Sequence, residues 1–124
     1  MYEQIGGQEV IDKLVDDFYH IMSTDPRARE CWATHAGKDI NESAHKLKYF
    51  LSGWLGGPAL YLEKFGHPRL KMRHFPFSIG TLEAHQWLYC MRKALELSTI
   101  DPDIQDKMIQ AFASVAMMVR NRED

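Results

Sequence analysis

A short segment in the middle of the chain concentrates the side chains best suited to chemistry. Residues 64–75 carry four lysines and arginines among aromatic rings, and His74 stands there between Arg73 and Phe75. The segment allows three interpretations. It can be a solvated basic loop, a contact for single-stranded nucleic acid made by cations and stacking rings, or a clamp for a ligand whose carboxylates or phosphates pair with arginine.

The imidazole of His74 has two interpretations of its own. A lone histidine in an apolar segment is commonly a hydrogen-bonded core residue. An imidazole on an apolar wall, with Arg69 and Arg73 nearby, is also what an iron porphyrin requires. The ring nitrogen coordinates iron, aromatic rings pack on the macrocycle and the cations meet the propionates. The residues themselves leave both possibilities open.

Two further polar groups lie on otherwise apolar helix faces. Tyr19 and Trp87 belong to different predicted helices, and each combines a large ring with one hydrogen-bond donor. Such residues are commonly part of a core in which the polar tip has a partner. In a pocket, the same tips are donors for a bound ligand.

These side chains must be positioned by helices, because apolar residues recur at three- and four-residue steps. The first predicted helix ends at Thr24, and Asp25 with Pro26 predicts the cap and first position of a short second helix that ends near Thr34. Further expected features are a third helix capped by Asn41 or Ser43, a stop at Gly56-Gly57-Pro58 and a helical turn over 59–65. After these we expect a segment over 67–78 that is mostly loop with at most one turn of helix, a long helix capped by Thr81 and a last helix opened by Asp101-Pro102. No segment alternates like a strand, so the predicted fold class is all-α.

Length and composition limit the possible classes of protein. The chain has 124 residues, a net charge of −2 and an isoelectric point near 6.3, so we expect one domain over residues 1–124 and no general attraction to nucleic acid. Met1–Leu14 lacks a secretory signal pattern, and the longest apolar run, Ala111–Val119, is too short to span a membrane. Cys31 and Cys90 do not suggest a disulfide framework. We therefore expect a cytoplasmic protein with reduced thiols.

Two stretches of sequence resemble the truncated haemoglobins of group II. They are Phe50-Leu51-Ser52-Gly53-Trp54-Leu55-Gly56-Gly57-Pro58 and Gly66-His67-Pro68-Arg69-Leu70-Lys71-Met72-Arg73-His74-Phe75-Pro76-Phe77-Ser78-Ile79-Gly80. The resemblance continues through Trp87-Leu88-Tyr89-Cys90-Met91 and includes Phe18-Tyr19. It implies a globin-like two-over-two helical sandwich in which a loop largely replaces the proximal helix.

The resemblance also implies roles for individual residues. His74 matches the proximal histidine that ligates the iron of haem b. Tyr19 matches the distal tyrosine, Trp87 the tryptophan of the distal side, and His35 a distal residue at the corner after the third helix. Ser43 stands where ordinary globins carry their distal histidine. The remaining residues expected to contact the cofactor are Leu47, Phe50, Phe77 and Met91, with Arg73 and Arg69 as partners of the propionates.

The implied function is reversible binding of oxygen and other diatomic ligands. Donors at Tyr19 and Trp87 would slow oxygen release, which favours redox detoxification, by nitric oxide dioxygenation or peroxidase-like chemistry, over oxygen delivery. Any turnover would need an external reductase. The alternatives are a haem-based ligand or redox sensor and a non-haem helical interaction module. We expect a monomer or weak homo-oligomer that has neither nucleic acid nor a membrane as partner.

Overall fold

The computed structural model describes residues 1–66 and 79–119. Its helices are α1 (Tyr2–Ile5), α2 (Gln8–Thr24), a 3₁₀ turn (Pro26–Ala28), α3 (Arg29–Ala33), α4 (Ile40–Trp54), α5 (Leu60–Phe65), α6 (Thr81–Leu97) and α7 (Pro102–Val119). These residues contain no strand, so the predicted all-α class is confirmed. None of these helices is both long and apolar enough to cross a membrane.

The long helices pack as two pairs. Helix α2 contacts α4, α6 contacts α7, and the two pairs meet mainly where α2 packs on α6. The predicted apolar face of α2 is confirmed, because Ile11, Leu14, Val15, Phe18 and Met22 are all buried. This arrangement is the expected two-over-two sandwich, and it brings the middle of α2 close to the middle of α6.

Two predicted helix caps are confirmed and two are wrong. Asp25 accepts a hydrogen bond from Arg27 N–H and Asp101 accepts one from Asp103 N–H, as the Asp-Pro pairs predict. Helix α4 is capped by Asp39, whose carboxylate accepts from the N–H groups of residues 41 and 42, and not by Asn41 or Ser43. Thr81 is the first residue of α6 rather than its cap.

The true N-cap of α6 is Gly80, which has no side chain to cap with. Its own N–H donates to Glu83 Oε1 at 2.8 Å, so the residue in the first turn reaches back to the cap position. A sequence search for Ser, Thr, Asp or Asn selects Thr81 because it overlooks this reversed arrangement. The observed cap lies one residue before the predicted one, and this difference does not change the position of Trp87 along α6.

The predicted stop at Gly56-Gly57-Pro58 is confirmed and also holds the start of the chain. Gly56 has a φ of +92°, in the left-handed region that favours glycine. A Cβ on Gly57 would lie 2.3 Å from the ring of Tyr2, so only glycine fits beside this ring. The N–H of Tyr2 donates to Leu55 O at 2.8 Å, and this bond ties α1 to the end of α4.

Candidate functional site

Phe18 on α2 contacts both of the residues that the sequence singles out as donors, Tyr19 on α2 and Trp87 on α6. The Phe18 ring makes edge contacts with Tyr19 and with Trp87, at a centroid distance of 4.9 Å in both cases. Phe18 is fully buried, whereas Tyr19 and Trp87 pack against the core and are only partly buried. The structure therefore places Tyr19 and Trp87 in one cluster at the α2–α6 contact, with Phe18 between them.

The polar tips of these two residues have no hydrogen-bond partner in residues 1–66 and 79–119. Neither the Tyr19 hydroxyl nor the Trp87 Nε1–H forms a hydrogen bond within the part of the chain that the structure describes. In the same residues, no fully enclosed side-chain nitrogen or oxygen lacks a partner. Both donors must therefore face open space. A buried Tyr or Trp normally places its tip against an acceptor, so two such donors on rings that both contact Phe18 indicate a site for a ligand that accepts.

The environment of Tyr19 keeps its phenol in the donor form. Burial raises the pKa of Tyr19 well above its ordinary value of 10, and the nearby Cys31 thiol raises this pKa further. The Cys31 thiol itself lies 3.9 Å from the sulfur of Met22, and burial raises its pKa to about 12. Tyr19 is therefore a neutral O–H donor at any physiological pH, and Cys31 is a neutral thiol.

His35 extends this cluster on the side of Tyr19. The two rings contact each other edge to face at 5.9 Å and 87°. The His35 ring also stacks on Trp32, with 5.9 Å between the ring centroids and 26° between the ring planes. Its Nδ1 lies 3.2 Å from the carbonyl oxygen of Cys31. Three residues that the sequence selects as distal, Tyr19, Trp87 and His35, are thus brought into one continuous set of rings.

The predicted contact residues on α4 share a face that is incompletely covered. Ser43, Leu47 and Phe50 are all half-buried, although the next residue along the helix, Leu51, is fully buried. Leu47 and Phe50 pack against the core from the side. An apolar helix face that is only half covered suits contact with a flat apolar group.

Met91 differs from the other predicted contact residues because it is fully buried in the protein core. Its role toward a cofactor stays a prediction. His74, Arg69, Arg73 and Phe77 lie outside the described residues, so their roles stay predictions as well. Residues 1–66 and 79–119 contain no group of three His, Cys, Asp or Glu side chains that could hold a metal ion. A haem needs only one such ligand from the protein.

Two aromatic residues join this cluster that the sequence analysis did not assign to the site. Phe112 on α7 contacts the Trp87 ring at 5.5 Å and stacks on Trp54 at 4.7 Å and 18°. Trp54 in turn stacks on Phe50 at 6.4 Å. The only signal in the sequence is that Phe50 and Trp54 stand four residues apart on one helix. That spacing gives no indication that a residue of α7 connects them to Trp87.

Comparison with known proteins gives a consistent result over the whole chain. The model of the bacterial-like globin family matches residues 1–121. The group 2 truncated hemoglobin YjbI of Bacillus subtilis is 39% identical over 123 residues, which cover 99% of this chain and 89% of the relative. Two-on-two hemoglobin-3 of Arabidopsis thaliana is 34% identical over 122 residues, which cover 96% of this chain and 67% of the relative.

Solved structures agree with these sequence matches. A cold-adapted truncated hemoglobin from the Antarctic marine bacterium Pseudoalteromonas haloplanktis superposes with a TM-score of 0.92 at 37% identity, over 98% of each chain. A group II 2-on-2 hemoglobin from Agrobacterium tumefaciens gives a TM-score of 0.93 at 37% identity, over 98% of this chain and 94% of the other.

Proposed function

The chain belongs to the bacterial-like globin family, and on that premise we propose that it binds oxygen tightly and uses it in redox detoxification more than in oxygen delivery. Globins bind haem and gaseous ligands such as oxygen, so the family membership disfavours the alternative of a non-haem interaction module. The proposal concerns the finer points, namely the cofactor as haem b, the ligation by His74 and the chemistry that follows. A single observation carries it: Tyr19 and Trp87, whose donors have no partner among the described residues, lie in one cluster.

The described residues supply two of the features that would hold a haem and its ligand. Leu47 and Phe50 offer the half-covered apolar face, while Tyr19 and Trp87 offer donors that have no partner among the described residues. When bound, the haem iron supplies a coordination position for the ligand. His74 as the protein ligand, and Arg69 and Arg73 as partners of the propionates, rest on the sequence motif alone.

The donors explain why slow release is expected. Oxygen bound in such a pocket carries partial negative charge, which O–H and N–H donors stabilise. Each hydrogen bond to a charged group contributes about 1.5–3 kcal/mol, which corresponds to roughly ten- to a hundredfold in the dissociation rate. The Tyr19 phenol stays an O–H donor at physiological pH, because burial raises its pKa above the ordinary value.

Slow release is a disadvantage for delivery and suits a reaction in which the bound oxygen is consumed. Nitric oxide dioxygenation combines nitric oxide with bound oxygen to give nitrate, and each turnover draws one electron from an external reductase. Peroxidase-like oxidation is the second such reaction. A sensor role is the remaining alternative, and no contact among the described residues favours it.

Oxygen dissociation from the Tyr19→Phe variant tests this proposal. The variant keeps the ring contacts of Tyr19 with Phe18 and His35 but loses the hydroxyl, so we expect oxygen to dissociate roughly ten- to a hundredfold faster. Stopped-flow absorption after mixing the oxygenated protein with a ligand trap measures the rate. Carbon monoxide dissociation, which depends less on a donor, should change much less.

Tyr89→Phe is the matched control because it removes a phenol hydroxyl from another position, on α6, where the hydroxyl is bonded to Asp25. Its oxygen dissociation should equal that of the wild type. An unchanged rate in Tyr19→Phe would rule out the proposed role of this hydroxyl. His74→Ala should abolish the haem absorption band, and nitrate yield compared with peroxide-driven dye oxidation separates the two reactions.

A further inference from the structure

A cavity of about 220 Å³ lies between the start of the chain, the end of α4 and the first half of α7. It is lined by Met1, Trp54, Leu55, Lys107, Met108 and Ala111. The bond from Tyr2 N–H to Leu55 O ties the first residues of the chain to this place. Met1 and Lys107 are exposed, so the cavity opens to solvent on their side. None of the residues that we expect to contact the haem lines it, so it is a second site.

The apolar lining indicates the size and kind of ligand that the cavity can hold. Five of its six lining residues are apolar, and Trp54 offers a ring on which a flat group can pack. An engineered apolar cavity of about 150 Å³ binds benzene. A cavity of about 220 Å³ therefore has room for a single substituted aromatic ring.

Lys107 is the one charged residue among those that line the cavity. It forms no ion pair within residues 1–66 and 79–119, and the carboxylate of the adjacent Asp106 lies 3.8 Å from Arg92 instead. An ammonium group next to an apolar cavity favours a ligand that combines a ring with a carboxylate, because a hydrogen bond between two charged groups is stronger than one between neutral groups. The lining thus fits a small aromatic acid.

Trp54 connects this cavity to the cluster at the α2–α6 contact. Its ring stacks on Phe112 at 4.7 Å and 18°, and Phe112 contacts the Trp87 ring at 5.5 Å. Tryptophan is far easier to oxidise than phenylalanine, so Phe112 is the bridge between two redox-active rings. The half-buried Trp32 is joined to the same cluster by a longer path, through His35 and Tyr19.

We propose that the cavity beside Trp54 binds a small aromatic acid that carries a phenol, and that this phenol donates electrons through Trp54 and Phe112 to Trp87. The inference rests on the peroxidase-like reaction of the proposed function and names the class of its reducing substrate. Because Trp87 is one of the two donors expected at the bound ligand, a reductant at Trp54 supplies electrons without entering the ligand site.

The electron transfer balances with hydrogen peroxide as the oxidant. Each phenol loses one electron to Trp54 and its O–H proton to water, and becomes a phenoxyl radical. Trp54 only passes the electron on, so it is oxidised by Trp87 and reduced again by the phenol. Two such electrons and two protons from water break the O–O bond of one hydrogen peroxide and give two water molecules.

Methionine methyl NMR of the ferrous carbon monoxide complex tests the binding, with 4-hydroxybenzoate as the probe. We expect the carbon-13 methyl signals of Met1 and Met108 to shift, because an aromatic ring bound between them changes their local field. Met117 and Met118, near the other end of α7, should keep their signals. Lys107→Gln should bind the probe about two- to fivefold more weakly, as the loss of one exposed ion pair predicts.

Ala111→Leu is the second binding variant because it fills the cavity without removing any group that contacts the probe. It should abolish the shift of the Met108 signal. Unchanged Met1 and Met108 signals in the wild type would overturn the site. Equal affinity of the wild type and Lys107→Gln would overturn the assignment of an acid as the ligand.

Oxidation of 4-hydroxybenzoate by hydrogen peroxide tests the path of the electrons. Trp54→Phe keeps a ring beside Phe112 but loses the oxidisable indole, so it should lose most of the oxidation while the probe still shifts the Met108 signal. Trp32→Phe is the matched control and should keep the wild-type rate. In the wild type treated with peroxide alone, peptide mass spectrometry should find oxidised Trp54 in preference to Trp32, and added 4-hydroxybenzoate should protect it.

The outcomes separate this inference from the proposed function. A wild-type oxidation rate in Trp54→Phe, or peroxide damage at Trp32 in preference to Trp54, would overturn the path of the electrons and with it the inference. Neither result changes the oxygen dissociation rate expected of Tyr19→Phe, which tests the proposed function independently. A wild-type protein that binds no haem would overturn both.

Discussion

Helix α6 contributes to two regions that differ in whether their polar side chains have hydrogen-bond partners. In the ring cluster of Tyr19, His35 and Trp87, the tyrosine and tryptophan donors have no hydrogen-bond partner among the residues that the structure describes. One residue before Trp87 on the same helix, Gln86 accepts from Cys31 N–H at 2.8 Å and donates to Glu30 at 3.2 Å. Two residues after it, Tyr89 donates to Asp25 at 2.6 Å. We call the hydrogen bonds of Gln86 and Tyr89 with their partners the clamp.

The two tyrosines show the difference most clearly. The pKa of Tyr19 is raised mainly by burial, without any hydrogen bond, whereas the pKa of Tyr89 is raised mainly by its hydrogen bond to Asp25. A phenol without a partner can offer its proton to a ligand, while a bonded phenol stabilises the fold. The clamp joins α6 to α3 and to the turn after α2.

The largest effect that follows from this comparison concerns Cys31, which lies where the two regions meet. Its N–H is bonded to Gln86 in the clamp, and its buried thiol has a pKa raised from 9.0 to about 12. Each pKa unit changes the fraction of reactive thiolate tenfold, and the higher nucleophilicity of a thiolate with a raised pKa offsets part of this change, so alkylation in the native state should be roughly thirtyfold or more slower than in the unfolded chain. Mass spectrometry of timed iodoacetamide reactions measures the rate.

The control for this experiment is Cys90→Ala, which leaves Cys31 as the single thiol of the chain. Native alkylation as fast as in urea would mean that the region around Cys31 is open to the reagent, and the distinction between the ring cluster and the clamp would then be wrong.

The sequence predicts the fold better than it predicts the clamp. Periodicity identifies the helix faces, as with Ile11 to Met22 on α2, because burial repeats at the helical period. The Asp25-Pro26 and Asp101-Pro102 caps are equally local signals. The clamp is not predictable, because the contacts of Gln86 with Cys31 and Glu30 join residues 55 and 56 positions apart. Nothing in the residue type of a glutamine indicates such a partner.

The site shows the same division between local and long-range signals. The sequence and its family resemblance name Tyr19, Trp87 and His35, and the structure brings them together around Phe18. Phe112 and Trp54 escape prediction because their stacking depends on how α7 docks.

Removing the clamp contact of Gln86 should lower stability measurably. Gln86→Leu leaves the buried N–H of Cys31 without an acceptor, which costs about 1–3 kcal/mol in the free energy of unfolding. Urea denaturation measures this difference. Tyr19→Phe should leave the free energy of unfolding nearly unchanged, because its hydroxyl bonds to no protein group in the described residues.

The neighbouring exposed residue offers a matched control. His85→Ala changes α6 at a surface position and should stay within about 0.5 kcal/mol of the wild type. If Gln86→Leu were as stable as His85→Ala, or if Tyr19→Phe lost as much stability as Gln86→Leu, the assignment of polar groups to two regions with different roles would fail.

The smallest effect is a dependence of the clamp on acid. The hydrogen bond from Tyr89, followed by that from Arg27 N–H, holds the pKa of Asp25 below its ordinary value of 3.8. A carboxyl whose pKa is lower in the folded state adds stability above its unfolded pKa and loses it as the pH falls toward the folded pKa. Tyr89→Phe should therefore be less stable than the wild type at neutral pH, and the difference should shrink below about pH 3.8. Thermal unfolding of both proteins across this range measures it.

Tyr49→Phe, which removes a phenol hydroxyl from α4, should show no such convergence. A Tyr89→Phe deficit that persisted or grew in acid would mean that Tyr89 stabilises the fold through its ring, which lies under the cations of Arg27 and Lys93, and not through a bond to ionised Asp25.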